Sequence, residues 1–354
     1  MARQAASIWR DPNRRVRFPL AIVVLLAMVW VVAASVLAGD QPSAEPAKEA
    51  AATQPATTQP ATTRPVVATV TVFCTGDIHE HTDGLARIAA RVKAAKKDDP
   101  NVLFFDAGDM MGGYGAEALA VTRGEAMYRL MIASGYDACV FGNHCHGAGK
   151  KRIIELLRKY PKFPLLAANI DWRKEEEDHS KLIPPYKIFQ LKGVKVAVIG
   201  ASSHDTRYAR GNRFAVYYEV QAVHMLVPEM RKQADIVVAI THQYEKHDYA
   251  LANSPNAPDL IVGGHSHAAT ATLWGRAKNS YLLKAGKYTR YLGMVQLKWD
   301  GEKIVEKTGK VVRVEKDWPE DEEVKAIRDS YFEEYRKKQE QEAAEKKAAA
   351  GAAK

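Results

Sequence analysis

The sequence is poor in cysteine. It contains three, Cys74, Cys139 and Cys145, an odd number with no CxxC spacing. A framework of disulfides normally needs an even and denser set, so none is indicated here. We expect three buried thiols in a fold that rests on an ordinary apolar core, for which a hydrophobic fraction of 47% in 354 residues is sufficient.

A basic stripe interleaved with aromatic side chains, which is typical of nucleic-acid-binding surfaces, is also missing. The formal charge is +9, and part of it lies in the first 17 residues, which carry five arginines against one aspartate. The remaining excess is spread through the chain. It fits a small anionic substrate or a solvated surface, and nucleic acid is not indicated.

Charge is absent altogether from residues 19–39, PLAIVVLLAMVWVVAASVLAG. A cleaved signal peptide has an apolar core of about 7–15 residues, whereas about 20 residues span a bilayer. The length therefore favours a retained membrane anchor, although residues 36–38 permit cleavage, and a buried core helix is the remaining interpretation. The basic flank predicts a cytoplasmic N-terminus. We expect the rest of the chain outside the cytoplasm, in the periplasm or at the cell surface, or secreted if the signal is cleaved.

Residues 40–66 offer almost nothing to bury, because they consist mainly of Ala, Pro, Thr and Gln with a repeated TQPAT unit. Such a composition is typical of an extended, disordered tether. The sequence thus predicts a signal or anchor at 1–39, a linker at 40–66, a folded domain at 67–318 and a charged, Ala-rich C-terminal helix or tail at 319–354.

The folded part alternates short apolar strands with amphipathic helices, among them helices at 84–97 and 116–132. This alternation predicts a layered α/β fold. We also expect a strand at 163–170, a hairpin turned at Lys192-Gly193, and antiparallel strands at 281–301. In layered α/β folds, ligands bind at the carboxyl ends of the strands.

Metal-binding residue types cluster at these strand ends, where five of the eleven histidines fall. An Asp-x-His or Gly-Asp motif alone is weak evidence for a metal site, and a lone histidine in a loop is ordinarily a hydrogen-bonded polar residue. We interpret the nearby Asp106 as structural. Donors from five strand ends, however, can converge only at one edge of a sheet, and a two-metal site needs a comparable set. The set is Asp77, His79, Asp109, Asn143, His144, His242, His265 and His267.

In their order, these motifs resemble the calcineurin-like metallophosphoesterases. They read Asp77-x-His79, Ala107-Gly-Asp109, Gly142-Asn-His144, Thr241-His242 and Gly263-Gly-His265-Ser-His267. The loops are most similar to the catalytic domain of the 5′-nucleotidase group, over roughly residues 66–300. The resemblance implies a four-layer αββα sandwich that hydrolyses a phosphoester with a hydroxide bridging two divalent metal ions.

The same resemblance implies a role for each motif residue. One metal would be bound by Asp77, His79, Asp109 and His267, and the other by Asp109, Asn143, His242 and His265, with Asp109 as the bridge. His144 would be catalytic, stabilising the transition state or protonating the leaving oxygen. Mixed His, Asp and Asn ligands suit Mn, Fe, Zn or Ni. The implied partner is a small phosphorylated substrate, with the oligomeric state left open.

Two features depart from the family pattern. In the 5′-nucleotidase group an Asp follows the catalytic His by three residues, but here that position is Gly147, so His144 lacks its usual carboxylate. His146 in the same loop either supports it or is merely exposed. Members of the group that cleave nucleotides usually carry a second domain that binds the base. The charged, Ala-rich residues after 335 do not predict such a domain, so nucleotide selectivity is not implied. The alternatives are hydrolysis of another oxyanion ester, such as a sulfur ester, and a metal-stabilised binding module without catalysis.

Overall fold

The computed structural model of the chain describes residues 64–113, 115–171, 181–204, 216–270 and 279–352. The predicted anchor and nearly all of the predicted linker lie outside these ranges. Within the described ranges, no helix is both long and apolar enough to cross a membrane.

Eleven strands among the described residues form two sheets. They are β1 (Ala68–Thr75), β2 (Val102–Asp106), β3 (Ala138–Cys139), β4 (Tyr186–Leu191), β5 (Val194–Ala201), β6 (Ile236–Thr241), β7 (Leu260–Gly263), β8 (Ala269–Thr270), β9 (Tyr281–Ala285), β10 (Tyr291–Trp299) and β11 (Ile304–Arg313). The first sheet has the order β11-β10-β1-β2-β3, and the second has the order β4-β5-β6-β7-β9-β8. Both sheets mix parallel and antiparallel pairs.

Seven helices are numbered here along the described residues. They are α1 (Leu85–Asp98), α2 (Glu117–Ala120), α3 (Glu125–Ser134), α4 (Lys150–Lys159), α5 (Glu219–Arg231), α6 (Glu245–Ala252) and α7 (Glu322–Ala352). Leu85 of α1, Met127 of α3 and Leu156 of α4 pack with the outer face of the first sheet. Residues of α5 and α6 cover the outer face of the second sheet.

The strands are apolar on both faces, which explains why they read as continuous hydrophobic runs. In β1, Val70 and Val72 are buried between the two sheets, whereas Phe73 is buried under the helices. In β6, Val238 faces the first sheet and Val237 faces α5 and α6. The layers therefore run helix, sheet, sheet, helix, and the predicted four-layer αββα sandwich is confirmed.

Several local predictions are confirmed. Helix α1 lies where the apolar spacing placed it, and β4 and β5 form an antiparallel hairpin that turns at Gly193, whose φ is 78°. The three cysteines are free and buried. Burial raises the pKa of the Cys139 thiol well above its usual range, so that thiol stays protonated and unreactive.

Three local predictions are wrong. The single helix at 116–132 is divided into α2 and α3, because Gly124 adopts a left-handed φ of 91° between them. The strand at 163–170 is reduced to two isolated bridges, because successive N–H groups bind different segments: Ala167 donates to the Pro184 carbonyl and Ala168 to the Gly200 carbonyl. The last strands are antiparallel only in part: β10 is antiparallel to β1, but β9 runs parallel to β7.

The C-terminal helix α7 packs on the domain with its first turns. Val324 is buried in the core under the first sheet, and the Arg129 guanidinium lies 5.4 Å from the ring centre of Tyr331. Lys93 of α1 forms an ion pair of 2.9 Å with Asp321, just before α7. After residue 335 nearly every described side chain of α7 is exposed.

Candidate metal centre

The polar strand ends meet where the two sheets face each other. Strands β1 and β2 are parallel neighbours, so the loops that follow them run together: the Asp77 N–H donates to the Gly108 carbonyl and the His79 N–H to the Asp109 carbonyl, both at 2.8 Å. Strands β6 and β7 contribute the histidines of the second sheet. We predicted that the donors would converge at one edge of one sheet. This was wrong, because the donors come from both sheets of the sandwich.

Glycines allow the two sets of loops to approach. A Cβ on Gly264 would lie 2.4 Å from the Ala107 carbonyl oxygen, and a Cβ on Gly142 would lie 2.0 Å from Asp109 Oδ1. Contacts this short exclude any side chain at either position. The glycines of the Gly-Asn-His and Gly-Gly-His motifs are therefore required by packing around the site.

Six non-glycine residues of the site have left-handed backbone angles. Their φ values are 52° for Asp77, 48° for His79, 57° for Glu80, 54° for Asp109, 71° for His265 and 59° for His267. Each such residue costs about 1–3 kcal/mol and persists only where its surroundings fix it. The concentration of this strain in one place is typical of functional sites.

The first group of donors is Asp77, His79 and His267. Nε2 of His79 lies 3.9 Å from Asp77 Oδ1 and 3.8 Å from Asp109 Oδ2, and Nε2 of His267 lies 3.4 Å from Asp77 Oδ1. The two His79 distances are too long for hydrogen bonds, and the buried Nδ1 of the same ring has no hydrogen-bond partner within the described part of the chain. Burial lowers the pKa of His79 to about 4, so the ring is neutral. A neutral imidazole facing two buried carboxylates suits a cation held among them.

The second group is Asn143, His242 and His265. Nδ1 of His242 donates to the Ala107 carbonyl at 2.7 Å, which directs Nε2 towards Asp109 Oδ2 at 3.1 Å. The Asn143 Oδ1 lies 3.2 Å from that Nε2 and 2.9 Å from Nδ1 of His265. A carbonyl partner on the far ring nitrogen fixes the tautomer of many metal-ligating histidines.

Asp109 links the two groups. Its Oδ2 faces His79 and His242, and its Oδ1 accepts the backbone N–H of His144 at 2.9 Å. Burial raises the pKa of the Asp109 carboxyl, but the neighbouring histidines, His242 first among them, together lower that pKa below its usual range. Burial lowers the pKa of His242, and Asp109 in turn raises it to about 9. Within this mixed nitrogen and oxygen set, the donors fit divalent ions.

His144 is oriented by a backbone carbonyl in place of the expected carboxylate. Its Nδ1 donates to the Gly112 carbonyl at 3.0 Å, and its ring lies 5.0 Å from the His79 ring. A carbonyl fixes the ring as a carboxylate would, but it brings no negative charge. The missing Asp is therefore replaced in geometry and not in charge.

Glu80 was not predicted from the sequence. Its buried carboxylate accepts the N–H groups of Gly112 at 2.8 Å and Gly113 at 3.1 Å, which fixes the loop whose carbonyl orients His144. Burial raises the pKa of Glu80. Its position directly after His79 was the available signal, but the sequence does not show which loop it would bind.

His146 is buried, which excludes one of its two alternatives, that of a merely exposed loop residue. Its Nε2 lies 3.2 Å from the Ser202 hydroxyl, which donates to the Phe141 carbonyl at 2.7 Å. Burial lowers the pKa of His146 to about 4. Its ring therefore joins the loop after β3 to the end of β5, as a neutral side chain.

A buried ion pair supports the two histidine loops of the second sheet, and it too was missed. Lys284 Nζ lies 2.6 Å from Asp248 Oδ2 and donates to the Gly264 carbonyl at 2.8 Å. Asp248 Oδ1 accepts hydrogen bonds from Thr241 Oγ1 and Gln243 Nε2, both at 2.8 Å. The pair thus fixes the residues on either side of His242 and the residue before His265.

Comparison with known proteins extends these observations. The family model for the calcineurin-like phosphoesterase matches residues 70–269. The 5′-nucleotidase of Mus musculus is 27% identical over 300 residues, which cover 73% of this chain and 51% of that protein. The trifunctional nucleotide phosphoesterase protein YfkN of Bacillus subtilis is 26% identical over 274 residues, covering 67% of this chain and 18% of that protein. This chain spans about half the length of the mouse relative.

Solved structures share the fold. The 5′-nucleotidase precursor of Thermus thermophilus superposes with a TM-score of 0.66 at 23% identity, covering 76% of this chain and 59% of that one. YfkN of Bacillus subtilis gives 0.64 at 22% identity, covering 76% and 98%. The sulfate thiohydrolase SoxB of Thermus thermophilus gives 0.64 at 20% identity, covering 76% and 61%. At these identities the superpositions establish the architecture alone.

Proposed function

The chain belongs to the calcineurin-like phosphoesterase family, and from this premise we propose that it hydrolyses a phosphoester, outside the cytoplasm, at a centre of two divalent metal ions. The observation that carries the proposal is the position of Asp109. One of its carboxylate oxygens faces His79 at 3.8 Å and His242 at 3.1 Å, and so reaches both groups of donors. A carboxylate in this position can bind two ions at once.

The proposed ligand sets follow the two groups. Asp77, His79, Asp109 and His267 hold one ion, and Asp109, Asn143, His242 and His265 hold the other. In support, the donor atoms of Asp77, His79 and His267 lie within 4.8 Å of one another, as do those of Asp77, Asp109 and His242. When bound, two divalent ions supply a water of lowered pKa and neutralise the charge that builds on a phosphoryl group. We propose Mn, Fe, Zn or Ni as the ions, on the chemistry of the donors alone.

The chain's own residues orient the reactants and move one proton. The two buried carboxylates, Asp77 and Asp109, supply the negative charge that retains the cations. His144 has its Nδ1–H bound to the Gly112 carbonyl, so Nε2 is the atom that carries the mobile proton. In its imidazolium form, His144 donates that proton to the leaving oxygen or stabilises the transition state as a cation.

We propose a small phosphate mono- or diester as the substrate. Relatives are named 5′-nucleotidase and nucleotide phosphoesterase, which makes a nucleotide a reasonable candidate. A sulfur ester is the second candidate, because a sulfate thiohydrolase shares the fold. A metal-stabilised binding module without catalysis is the third, and it would leave the oriented ring of His144 without a function.

Hydrolysis assays with the full chain in detergent separate these candidates. We expect turnover of p-nitrophenyl phosphate or its bis ester with Mn²⁺, loss of that turnover with a chelator, and recovery when Mn²⁺ is restored. Adenosine monophosphate in parallel tests the nucleotide. Turnover of p-nitrophenyl sulfate alone would support the sulfur-ester hydrolase, and turnover of none of these esters by a metal-loaded chain would support the binding module.

We further propose that residues 1–39 take the chain across a membrane, that 40–66 tether the folded domain of 67–318, and that 319–354 form its C-terminal helix or tail. This rests on the arginine-rich start followed by the uncharged run. Intact mass spectrometry of the protein from fractionated cells is the test. A full 39.2 kDa chain in the membrane fraction supports retention, and a chain that begins near Gly39 supports cleavage. A full-length chain in the cytosolic fraction would contradict export.

A further inference from the structure

We propose that His204, Glu219 and His247 form a third metal site, separate from the dinuclear centre, which binds one zinc-like transition-metal ion. Each of the three residues offers one donor atom, and these atoms lie within 4.8 Å of one another. None of the three belongs to the motifs that carry the family resemblance. The inference does not depend on the proposed hydrolysis.

Three separate elements bring the donors together. His204 follows β5, Glu219 is the first residue of α5, and His247 lies in the first turn of α6, where its N–H donates to the Tyr244 carbonyl at 2.8 Å. An ion bound here would therefore join the end of a strand to the beginnings of two helices.

The carboxylate of Glu219 is already fixed in a position to bind a cation. Its side chain is 1% exposed, and Oε1 accepts the backbone N–H of His204 at 2.9 Å. Oε2 contacts Nδ1 of His204 as an ion pair, but without the geometry of a hydrogen bond. A buried carboxylate oxygen normally accepts a hydrogen bond or coordinates a cation.

The third donor, His247, has a buried ring nitrogen that is available to bind an ion. Its buried Nδ1 has no hydrogen-bond partner among the residues that the structure describes, and its ring centre lies 5.6 Å from that of His204. Burial lowers the pKa of His247 and raises that of Glu219.

The donor types select the class of ion. Two imidazoles and one carboxylate form the His₂Glu set that binds zinc in hydrolytic enzymes, with a water in the fourth position. Calcium and magnesium prefer sets made of oxygen atoms. We therefore expect Zn²⁺, or Co²⁺ as its spectroscopic substitute, and not an alkaline-earth ion.

The site lies beside the dinuclear centre. The Tyr244 ring is packed edge-on against His265 with 4.4 Å between ring centres, and it lies 5.9 Å from the His247 ring. Tyr218 lies 5.1 Å from the same His247 ring, and the two tyrosines are 40% and 44% exposed for Tyr218 and Tyr244. An ion on His247 would therefore fix the start of α6, and with it the tyrosine that packs against His265.

Metal content of the full chain in detergent tests the proposal. The chain is equilibrated with Zn²⁺ and passed over a weak chelating resin, and zinc per chain is measured by mass spectrometry. We expect His247→Ala and His204→Ala each to hold one equivalent less than the unchanged chain. His224→Ala is the matched control, because this α5 histidine lies 3.3 Å from the Asn256 amide and is not one of the three donors, and it should retain the full content. Equal zinc in the unchanged chain and in folded His247→Ala overturns the proposal.

A second measurement covers the case in which a truncated variant fails to fold. In the double variant Asp77→Asn and Asp109→Asn, which removes both carboxylates of the dinuclear centre, added Co²⁺ should still give a tetrahedral visible spectrum. His247→Gln, which retains the polarity of the side chain, should remove that spectrum when it is added to the double variant. A folded double variant with His247 intact and no such spectrum contradicts the third site, whether or not the dinuclear centre binds metal.

Discussion

Asp109→Asn should reduce metal-dependent hydrolysis by about a thousandfold or more in kcat/KM. Asn has almost the same volume as Asp, but it removes the charge that both groups of donors share. Lewis-acid stabilisation by bound ions contributes several kcal/mol to such reactions, and about 1.4 kcal/mol corresponds to a factor of ten in rate. Hydrolysis of p-nitrophenyl phosphate and metal content per chain are the measurements, and both should fall together.

The matched control is Asp98→Asn, at the exposed end of α1, which should leave both quantities unchanged. Thermal unfolding of the two variants separates a loss of the site from a loss of the fold. If Asp109→Asn retained two ions and most of its turnover, then Asp109 could not be the residue that joins the two halves of the centre.

His144→Ala should lower kcat by about 10²–10⁴-fold for a substrate with a poor leaving group, which is the usual contribution of a positioned acid or base. The loss should be smaller for p-nitrophenyl phosphate, because p-nitrophenolate departs without being protonated. Metal content should stay unchanged, since the assigned ligands are untouched. Comparison of an alkyl phosphate with the p-nitrophenyl ester measures the difference, and equal losses for both would exclude the role of proton donor.

Glu80→Gln should lower kcat for a substrate with a poor leaving group by about tenfold, because Glu80 fixes the loop that orients His144. A loss of this size is usual when a group that orients a functional residue is replaced. The amide of Gln can accept at one oxygen only, so the N–H of Gly112 or Gly113 loses its partner and the Gly112 carbonyl shifts under His144. Glu155→Gln, on an exposed position of α4, is the control. If Glu80→Gln lost stability but kept the same ratio of alkyl phosphate to p-nitrophenyl phosphate turnover as the unchanged chain, the role of Glu80 would be purely structural.

Much of the fold could be predicted because its strands are short, apolar and separated by amphipathic helices. The periodicity places helix α1 and the hairpin of β4 and β5 without any knowledge of contacts. It fails at residues 116–132, where α2 ends at Ala120 and Gly124 precedes the start of α3, while the apolar spacing continues across the break. It also fails for β9, because an apolar strand reads the same whether its neighbour is parallel or antiparallel.

The candidate site could be predicted as a set of residues, because its donors stand directly after strands in a fixed order. Their partners could not be predicted, since these come from distant parts of the chain. Lys284 interrupts the apolar run of β9, which signals a buried charge, yet nothing in the spacing indicates Asp248 as its partner. The partners of Glu80 could not be predicted either, because they are backbone N–H groups of another loop.

Anomalous diffraction is the most direct test of two ions that share Asp109 as a ligand. Crystals of the chain grown with Mn²⁺ would be measured at the manganese absorption edge. We expect two adjacent peaks, one among Asp77, His79 and His267 and the other among Asn143, His242 and His265, both within ligand distance of Asp109. A single peak at this site, or two peaks that do not share Asp109, would contradict it.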